Sequence, residues 1–535
     1  MSNASRKVVV GFALGVLALL AVDFIDRHRS RATVRALKAS LVATGEKLTI
    51  GELAPQPSAA AQAAVNALLQ AALRLRDTSG APGRTPGAMK MISPGKARVA
   101  WRQQDLRQPG LTNTWKQMAA DFDKNHETLD QIRELLKQPG FGFNLNYHQG
   151  FSLLLPHLAP VKMIAQRLSA ATLEDLHTGR LDEAAADLEA LLALPETLRN
   201  EPLIVSQLVR AAIAAIAFST TWEALQADGW TDAPLASLQR QWEILEFMTP
   251  MQRAQEMERA IGLDTFDRAR RSSAFRQQFF SGFNTGPGGR SWPSMPSDAS
   301  GVPDFVLKSG ETALSSMSEL TTEQLWRWRW SYQDELRYLQ ILELMLQVPR
   351  QVASGEPFVA AQRHTSDRLA RFWSELDRPS KKYLFSGMSL PSLEKYYTKG
   401  AQLEMQREMA IAALALKRHQ LRYREPAPSL SALVLEFLPR VPRDFMDGGE
   451  LRYRVNLDGT WILYSVGENG MDDGGDPDSP SGQARAESFT RGRDAVWPQP
   501  ATPEEIARVE TTTPPLAPQR MSREMMKRYG LIPRE

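Results

Sequence analysis

Leu173-Glu-Asp-Leu-His-Thr-Gly-Arg-Leu-Asp-Glu-Ala184 decides the fold class. Runs of helical apolar spacing, 163–178 and 181–194, meet at Gly179-Arg180, so the chain reverses on a glycine and the two runs form an antiparallel hairpin. The same grammar extends outward from 158 to 271, with Pro195, then helices at 201–227 and 233–249, then Pro250 and a helix at 251–271. Upstream the reading gives a helical extension at 30–44, a linker at 51–58 with Pro55 and Pro57, a helix at 59–76, a glycine- and proline-rich loop at 79–95, and a helix at 113–136 that stops before Pro139-Gly140. Downstream, 272–303 turns rich in glycine, proline and serine, and helices resume at 305–347, stop at Pro349, and run again at 357–376 and 393–424.

The turn at Gly179 resembles the inter-helix turn of a tetratricopeptide repeat, in which the glycine closes the turn and Ala184 lets the helices approach. No second copy follows at a period of about 34 residues, so a single hairpin rather than a repeat array is expected.

At 535 residues with 43% hydrophobic content the chain can bury sizeable cores. Lys+Arg 64 against Asp+Glu 61 leaves a net charge of +3, too balanced for a nucleic-acid partner. Cysteine is absent, which excludes disulfides, thiolate catalysis and cysteine-ligated metals, and fits an oxidising compartment.

Near the start, Arg6 and Lys7 precede Val8 to Val22, a run without a polar residue, followed by Asp23, Phe24, Ile25 and Asp26-Arg-His-Arg29. About 18 residues at roughly 1.5 Å each just cross a thin hydrocarbon core of about 27–30 Å. No small residues mark a cleavage site, so residues 8–25 are read as an uncleaved membrane anchor. The basic residues after it, Arg27, Arg29, Arg31, Arg35 and Lys38, would by themselves hold the body in the cytoplasm, although long domains translocate with little regard to charge.

Near the C-terminus the period changes to two. Residues 451–455 and 460–466 are β-branched and aromatic runs joined by Asn456-Leu-Asp-Gly459, a tight-turn signal, so a β-hairpin is expected, packed on the helix before it. The order of helix (Ala415-Leu-Lys-Arg-His-Gln-Leu-Arg-Tyr423), Pro428-Ser-Leu-Ser-Ala-Leu433, Pro442-Arg-Asp-Phe445, Leu451-Arg-Tyr-Arg454 and Leu463-Tyr-Ser-Val-Gly467 with Asn469-Gly470 resembles the globular part of type II secretion major pseudopilins. The resemblance implies a calcium ion on Asp472, Asp473, Asp476 and Asp478; a solvated acidic turn without metal is the other reading of 471–478. It also favours a periplasmic body on the inner membrane. Two departures stand against a full transfer: Val16 replaces the family's glutamate in the apolar helix, so the anchor is not a pilin assembly helix, and Asn469 stands where an aspartate is common. The whole chain also resembles membrane-anchored bacterial proteins that join a helical body to this ending, a resemblance that implies no activity.

No catalytic set emerges. The histidines His28, His126, His148, His157, His177, His364 and His419 form no i, i+4 pair and read as surface or packing residues. Gly150-Phe-Ser152 and Gly387-Met-Ser389 lack the second glycine of a nucleophile elbow, and Gly140-Phe-Gly142 lacks the third of a phosphate loop. Ser392-Leu-Glu-Lys395 has the Ser-x-x-Lys spacing, but Lys308-Ser-Gly310 precedes it where the second basic motif of such enzymes follows. Trp326-Arg-Trp-Arg-Trp330 places Trp326 and Trp330 on one helix face and Trp328 opposite, either a core filler or a membrane or partner face.

The expected fold is mainly α: a transmembrane helix at 1–29, a helical-hairpin body at 30–271, a flexible linker at 272–303, a second helical segment at 304–400, a pseudopilin-like α+β module at 401–480 and a mostly disordered tail at 481–535. The expected role is a non-enzymatic envelope protein, membrane-bound through residues 8–25, with protein partners, around a secretion apparatus. The alternative is a periplasmic hydrolase whose site is assembled from residues distant in sequence.

Overall fold

The computed structural model describes residues 24–507 except 77–89, 94–95, 99–100, 102–105, 109–110, 114, 139, 282–322, 377–380, 391–392, 394, 479–489, 491 and 506; the apolar run 8–22 lies outside it. The described chain is mainly helical. The helices are α1 (24–43), α2 (Ile50–Leu53), α3 (Ala59–Arg76), α4 (Trp115–Leu136), α5 (Leu158–Thr178), α6 (Leu181–Ala193), α7 (Ile204–Leu225), α8 (Asp232–Ile244), α9 (Met248–Arg271), α10 (Ser273–Ser281), α11 (Ser331–Ala353), α12 (Phe358–Leu376), α13 (Leu384–Ser389) and α14 (Tyr396–Tyr423). The strands are β1 (Lys90–Ser93), β2 (Lys96–Arg98), β3 (Leu106–Gln108), β4 (Leu111–Asn113), β5 (Arg452–Val455), β6 (Trp461–Ser465), β7 (Ala495–Val496) and β8 (Gln499–Pro500).

The hairpin at Gly179 forms as its chemistry requires. Gly179 takes φ 78°, in the left-handed region that favours glycine, and the Arg180 N–H returns to the Asp175 carbonyl at 2.8 Å, closing the end of α5. Arg180 Nε then donates to Asp175 at 2.9 Å, while Arg133 of α4 donates to the buried Asp187 of α6 at 2.6 Å. Burial pushes the Asp187 carboxyl up to about 7.

Helix α7 is, among the described residues, the one long and apolar enough to cross a membrane; most of it is buried against α5, α6, α9 and α14. Its Arg210 is fully buried and meets Glu196 at 2.6 Å and the Pro195 carbonyl at 3.0 Å.

One continuous core runs from Val65 in α3 to Trp497 beyond β7, so the C-terminal module shares the interior of the helical body. Helix α14 lies inside that core, against α7, α8 and α9. The hairpin β5–β6 pairs Arg452 with Tyr464 and Val455 with Trp461, around a turn in which Gly459 takes φ 80°. Asp444 pins it: this buried carboxylate accepts from Ser465 Oγ at 2.7 Å, the Val466 N–H at 2.9 Å, the Met446 N–H at 3.0 Å and Arg452 at 3.0 Å.

Four details differ from the sequence reading. Residues 495–500, placed there in a disordered tail, form β7 on β6 and β8 parallel to β2, because Trp497 has a core site against Phe218 and the Pro498 carbonyl accepts from Trp222 Nε1 at 2.6 Å. Part of the 79–95 loop is the β1–β2 hairpin. Part of the 272–303 linker is α10. Helix α11 continues through Pro349 to Ala353: the proline sits one turn from the end, where only one internal hydrogen bond is forfeited, and its ring is buried.

Asp444→Asn replaces an acceptor of four donors with an amide, and should cost about 2–4 kcal/mol in denaturant unfolding. A second expectation concerns pH. Glu258 of α9 has no ion-pair partner among the described residues and lies near the buried phenols of Tyr338 and Tyr396; burial raises its carboxyl from an ordinary 4.5 to about 7. The folded state therefore binds this proton more tightly than the unfolded chain, so its contribution is full below pH 4.5 and is lost as pH rises through about 7. Urea midpoints of Glu258→Gln should lack that decline and exceed those of the parent above pH 7.

Candidate binding cleft

A cleft of about 580 Å3 opens between residues 45–57, the segment 141–147, the bend 197–202 and α9. Its lining mixes polar and apolar surface: Pro55, Pro57, Pro202, Phe141 and Phe143 stiffen it, and Glu46, Lys47, Glu52, Glu201, Arg253 and Glu256 bring charge to it. Gly142 is required for the close wall: a Cβ there would meet Pro57 Cβ at 2.4 Å.

The floor comes from three turns. Tyr147 opens the 3-10 turn Tyr147–Ser152, His157 precedes α5, and Glu201 follows the 3-10 turn Leu194–Leu198, bracketed by Pro195 and Pro202. Proline at both ends prevents the bend from continuing as helix and leaves backbone carbonyls needing donors. Gln207, in the first turn of α7, supplies them: its Nε2 donates to the Leu198 carbonyl at 2.9 Å and the Glu201 carbonyl at 2.8 Å. The buried Glu201 carboxylate accepts from Ser206 Oγ at 2.6 Å and lies 2.9 Å from His157 Nε2, whose ring packs on Phe143 at 4.0 Å.

Serine, glutamate and histidine invite a hydrolytic reading, and the order of contacts argues against it. In a nucleophilic triad the histidine stands between serine and acid; here Glu201 stands between Ser206 and His157. Ser206 is fully buried, so a substrate carbonyl has no approach to it. Tyr147 lines the cleft. Its hydroxyl is buried without a partner, and burial together with the Glu201 charge holds the phenol well above its usual range, hence neutral and able to donate.

The rear wall is fixed by charge. Arg259 of α9, fully buried, donates to Glu46 at 2.7 Å, to the Lys47 carbonyl at 3.0 Å and to Glu343 of α11, and Arg350 bridges Glu46 at 2.8 Å and Glu343 at 3.2 Å.

The residues singled out from sequence lie elsewhere. Asp472 accepts from Tyr464 at 3.1 Å and the Gly474 N–H at 2.9 Å, Asp473 from Asn469 at 3.0 Å, and Asp476 from Arg493 and the Asp478 N–H, each at 2.9 Å, while the Asp478 side chain is exposed. The loop is gathered instead around buried Asp494, which accepts the N–H groups of Gly475 at 2.7 Å and Asp476 at 3.2 Å. Among the described residues no three His, Asp or Glu side chains converge as metal ligands, and Asp472, Asp473 and Asp476 accept hydrogen bonds within the loop. Trp326 is buried in a π-turn (Trp326–Trp330) and donates to Asp334 at 2.7 Å; Trp330 is half-buried and Trp328 exposed. Gly150 lies in the floor turn at φ 59°, and Ser389 is buried and donates to the Phe385 carbonyl.

Sequence reasoning took His157 as a packing residue and passed over Tyr147, Glu201 and Ser206 altogether. The one local signal was the pair of prolines around Glu201.

Compared with protein-family models, curated proteins and solved structures, the chain matches none.

Because the Tyr147 hydroxyl has no partner, Tyr147→Phe should leave the unfolding midpoint unchanged or slightly raised, whereas Glu201→Gln, which disturbs two buried donors, should cost about 2 kcal/mol. Gly142→Ala should cost about 1–3 kcal/mol by forcing the wall apart.

Proposed function

We propose that the chain is a single-pass, membrane-anchored envelope protein whose helical body binds a protein partner, taking a short extended segment of it into the cleft. The observation that carries this is the Tyr147 hydroxyl, buried in the cleft without a protein partner beside an acid already engaged by His157 and Ser206. Such a floor binds and does not turn over. Proline and aromatic walls suit the side chains of an extended segment, and Asn200 and Gln56 offer bonds to its backbone. The apolar run 8–22 supports the anchor; the absence of cysteine and the pseudopilin-like order of the C-terminal elements support a periplasmic body on the inner membrane, associated with secretion.

The test is photocrosslinking from the cleft in intact cells, with p-benzoylphenylalanine in place of the exposed Gln56. The expected result is a discrete protein adduct that Tyr147→Phe weakens without loss of the folded chain. No adduct, together with ester or peptide hydrolysis by the purified chain that Glu201→Gln abolishes, would contradict the proposal and favour the hydrolase.

A further inference from the structure

The first described helix does not project freely. Val34 of α1 is buried with Leu263 of α9 and Leu339 of α11, and Lys38 reaches buried Glu335 at 2.5 Å. Arg27 meets Trp328 ahead of α11 and Glu46, just after α1, meets Arg350 near the end of α11, so α1 runs beside α11 in the same direction and starts where the π-turn Trp326–Trp330 leads into α11. There Arg27 donates to the Trp328 carbonyl at 2.5 Å, and Arg27 and Arg31 each stand 5.8 Å from the Tyr332 ring, which Arg270 covers from the end of α9 at 4.0 Å.

The composition of this end is unusual for a surface. Trp328 is 42% exposed, Leu325 43%, Ile25 47% and Phe24 64%. Interleaved with them are Arg27, Arg29, Arg31, Arg271, Arg327 and Arg329, and in 24–31 the one acid is Asp26. Exposed tryptophan and aliphatic side chains among arginines are what a headgroup layer accepts: indole settles at the interface and guanidinium pairs with phosphate. The apolar run Val8–Val22 ends within two residues of Phe24, so a bilayer holding that run lies against this end.

We propose that the π-turn and the start of α1 form a docking platform for an anionic lipid surface, which seats the body flush on the membrane. The π-turn serves this directly. Trp326 is drawn into the core by its bond to Asp334 and its stacking on Phe266 at 6.0 Å, which leaves the intervening Trp328 outside between Arg327 and Arg329. The platform rests on the membrane-anchored reading, so its test separates the two.

The chain has no cysteine, so single cysteines can carry an environment-sensitive fluorophore in the full chain. Val16→Cys reports the anchor, Gln324→Cys the platform, and Leu457→Cys the exposed hairpin turn. Each is reconstituted in phosphatidylcholine vesicles with and without phosphatidylglycerol, and challenged with a nitroxide lipid or a water-soluble quencher. The expected result is nitroxide quenching at 16 and 324, with 324 more protected from the aqueous quencher when phosphatidylglycerol is present, and aqueous quenching at 457. Adding Arg327→Glu and Trp328→Ala should return 324 to aqueous behaviour and leave 16 unchanged. Lipid quenching at 16 with 324 behaving like 457 would overturn the platform alone. Aqueous behaviour at both 16 and 324 would overturn the anchor, and the platform with it.

Discussion

Arg259 cannot be left alone. Its guanidinium is fully buried, and a buried cation costs several kcal/mol unless carboxylates and carbonyls meet it. The chain meets it from two directions: Glu46 and the Lys47 carbonyl arrive from the segment after α1, and Glu343 arrives from α11. Arg350 closes the set by bridging both acids. Three parts of the chain more than 80 residues apart are thereby held in one register, since Arg259 and Glu343 are separated by 84 positions and Arg259 and Glu46 by 213. The apolar contact of Val34 with Leu263 and Leu339 supplies area beside this network, but area has no direction; the charges do.

That register reaches the rest of the structure. On one side it fixes the 45–57 segment as a cleft wall. On the other it locks α1 along α11, which brings the arginines of α1 to the Trp326–Trp330 turn. In the proposed arrangement the anchor is thus continuous with the body and not hung from it. The C-terminal module completes the interior: α14 fills the space between α7, α8 and α9, and the three-stranded sheet seals its end through Asp444 and Trp497.

Much of the helical architecture was legible because its signals are local. Gly179 announces a reversal whatever surrounds it, α3 is a breaker-free alanine-rich run, and Asp458-Gly459 specifies a tight turn between two period-two strands. What escaped was long-range or very short. Strands β7 and β8 have two residues each, too few to show a period, and exist because Trp497 packs on Phe218 and the Pro498 carbonyl meets Trp222, 276 positions back in the chain. Pro349 reads as a stop, yet the helix carries one more turn to Ala353, with Val352 packed part-buried on the core. The cleft was invisible for the same reason. His157 and Glu201 are 44 residues apart, and the turns that bring them together carry only proline as a mark. The acidic loop was legible as a turn, but its organising residue, Asp494, lies 16 positions beyond Asp478, in the stretch read as tail.

The central proposal is that the Arg259 network, by locking α1 along the body, seats the body on the membrane. Neutron reflectometry of the full chain in a supported bilayer containing phosphatidylglycerol measures this directly, as the position and thickness of the protein layer relative to the headgroups. The account predicts a single body layer in contact with the headgroups, with no water layer between. A body layer separated from the headgroups by solvent, or smeared over several orientations, would contradict it.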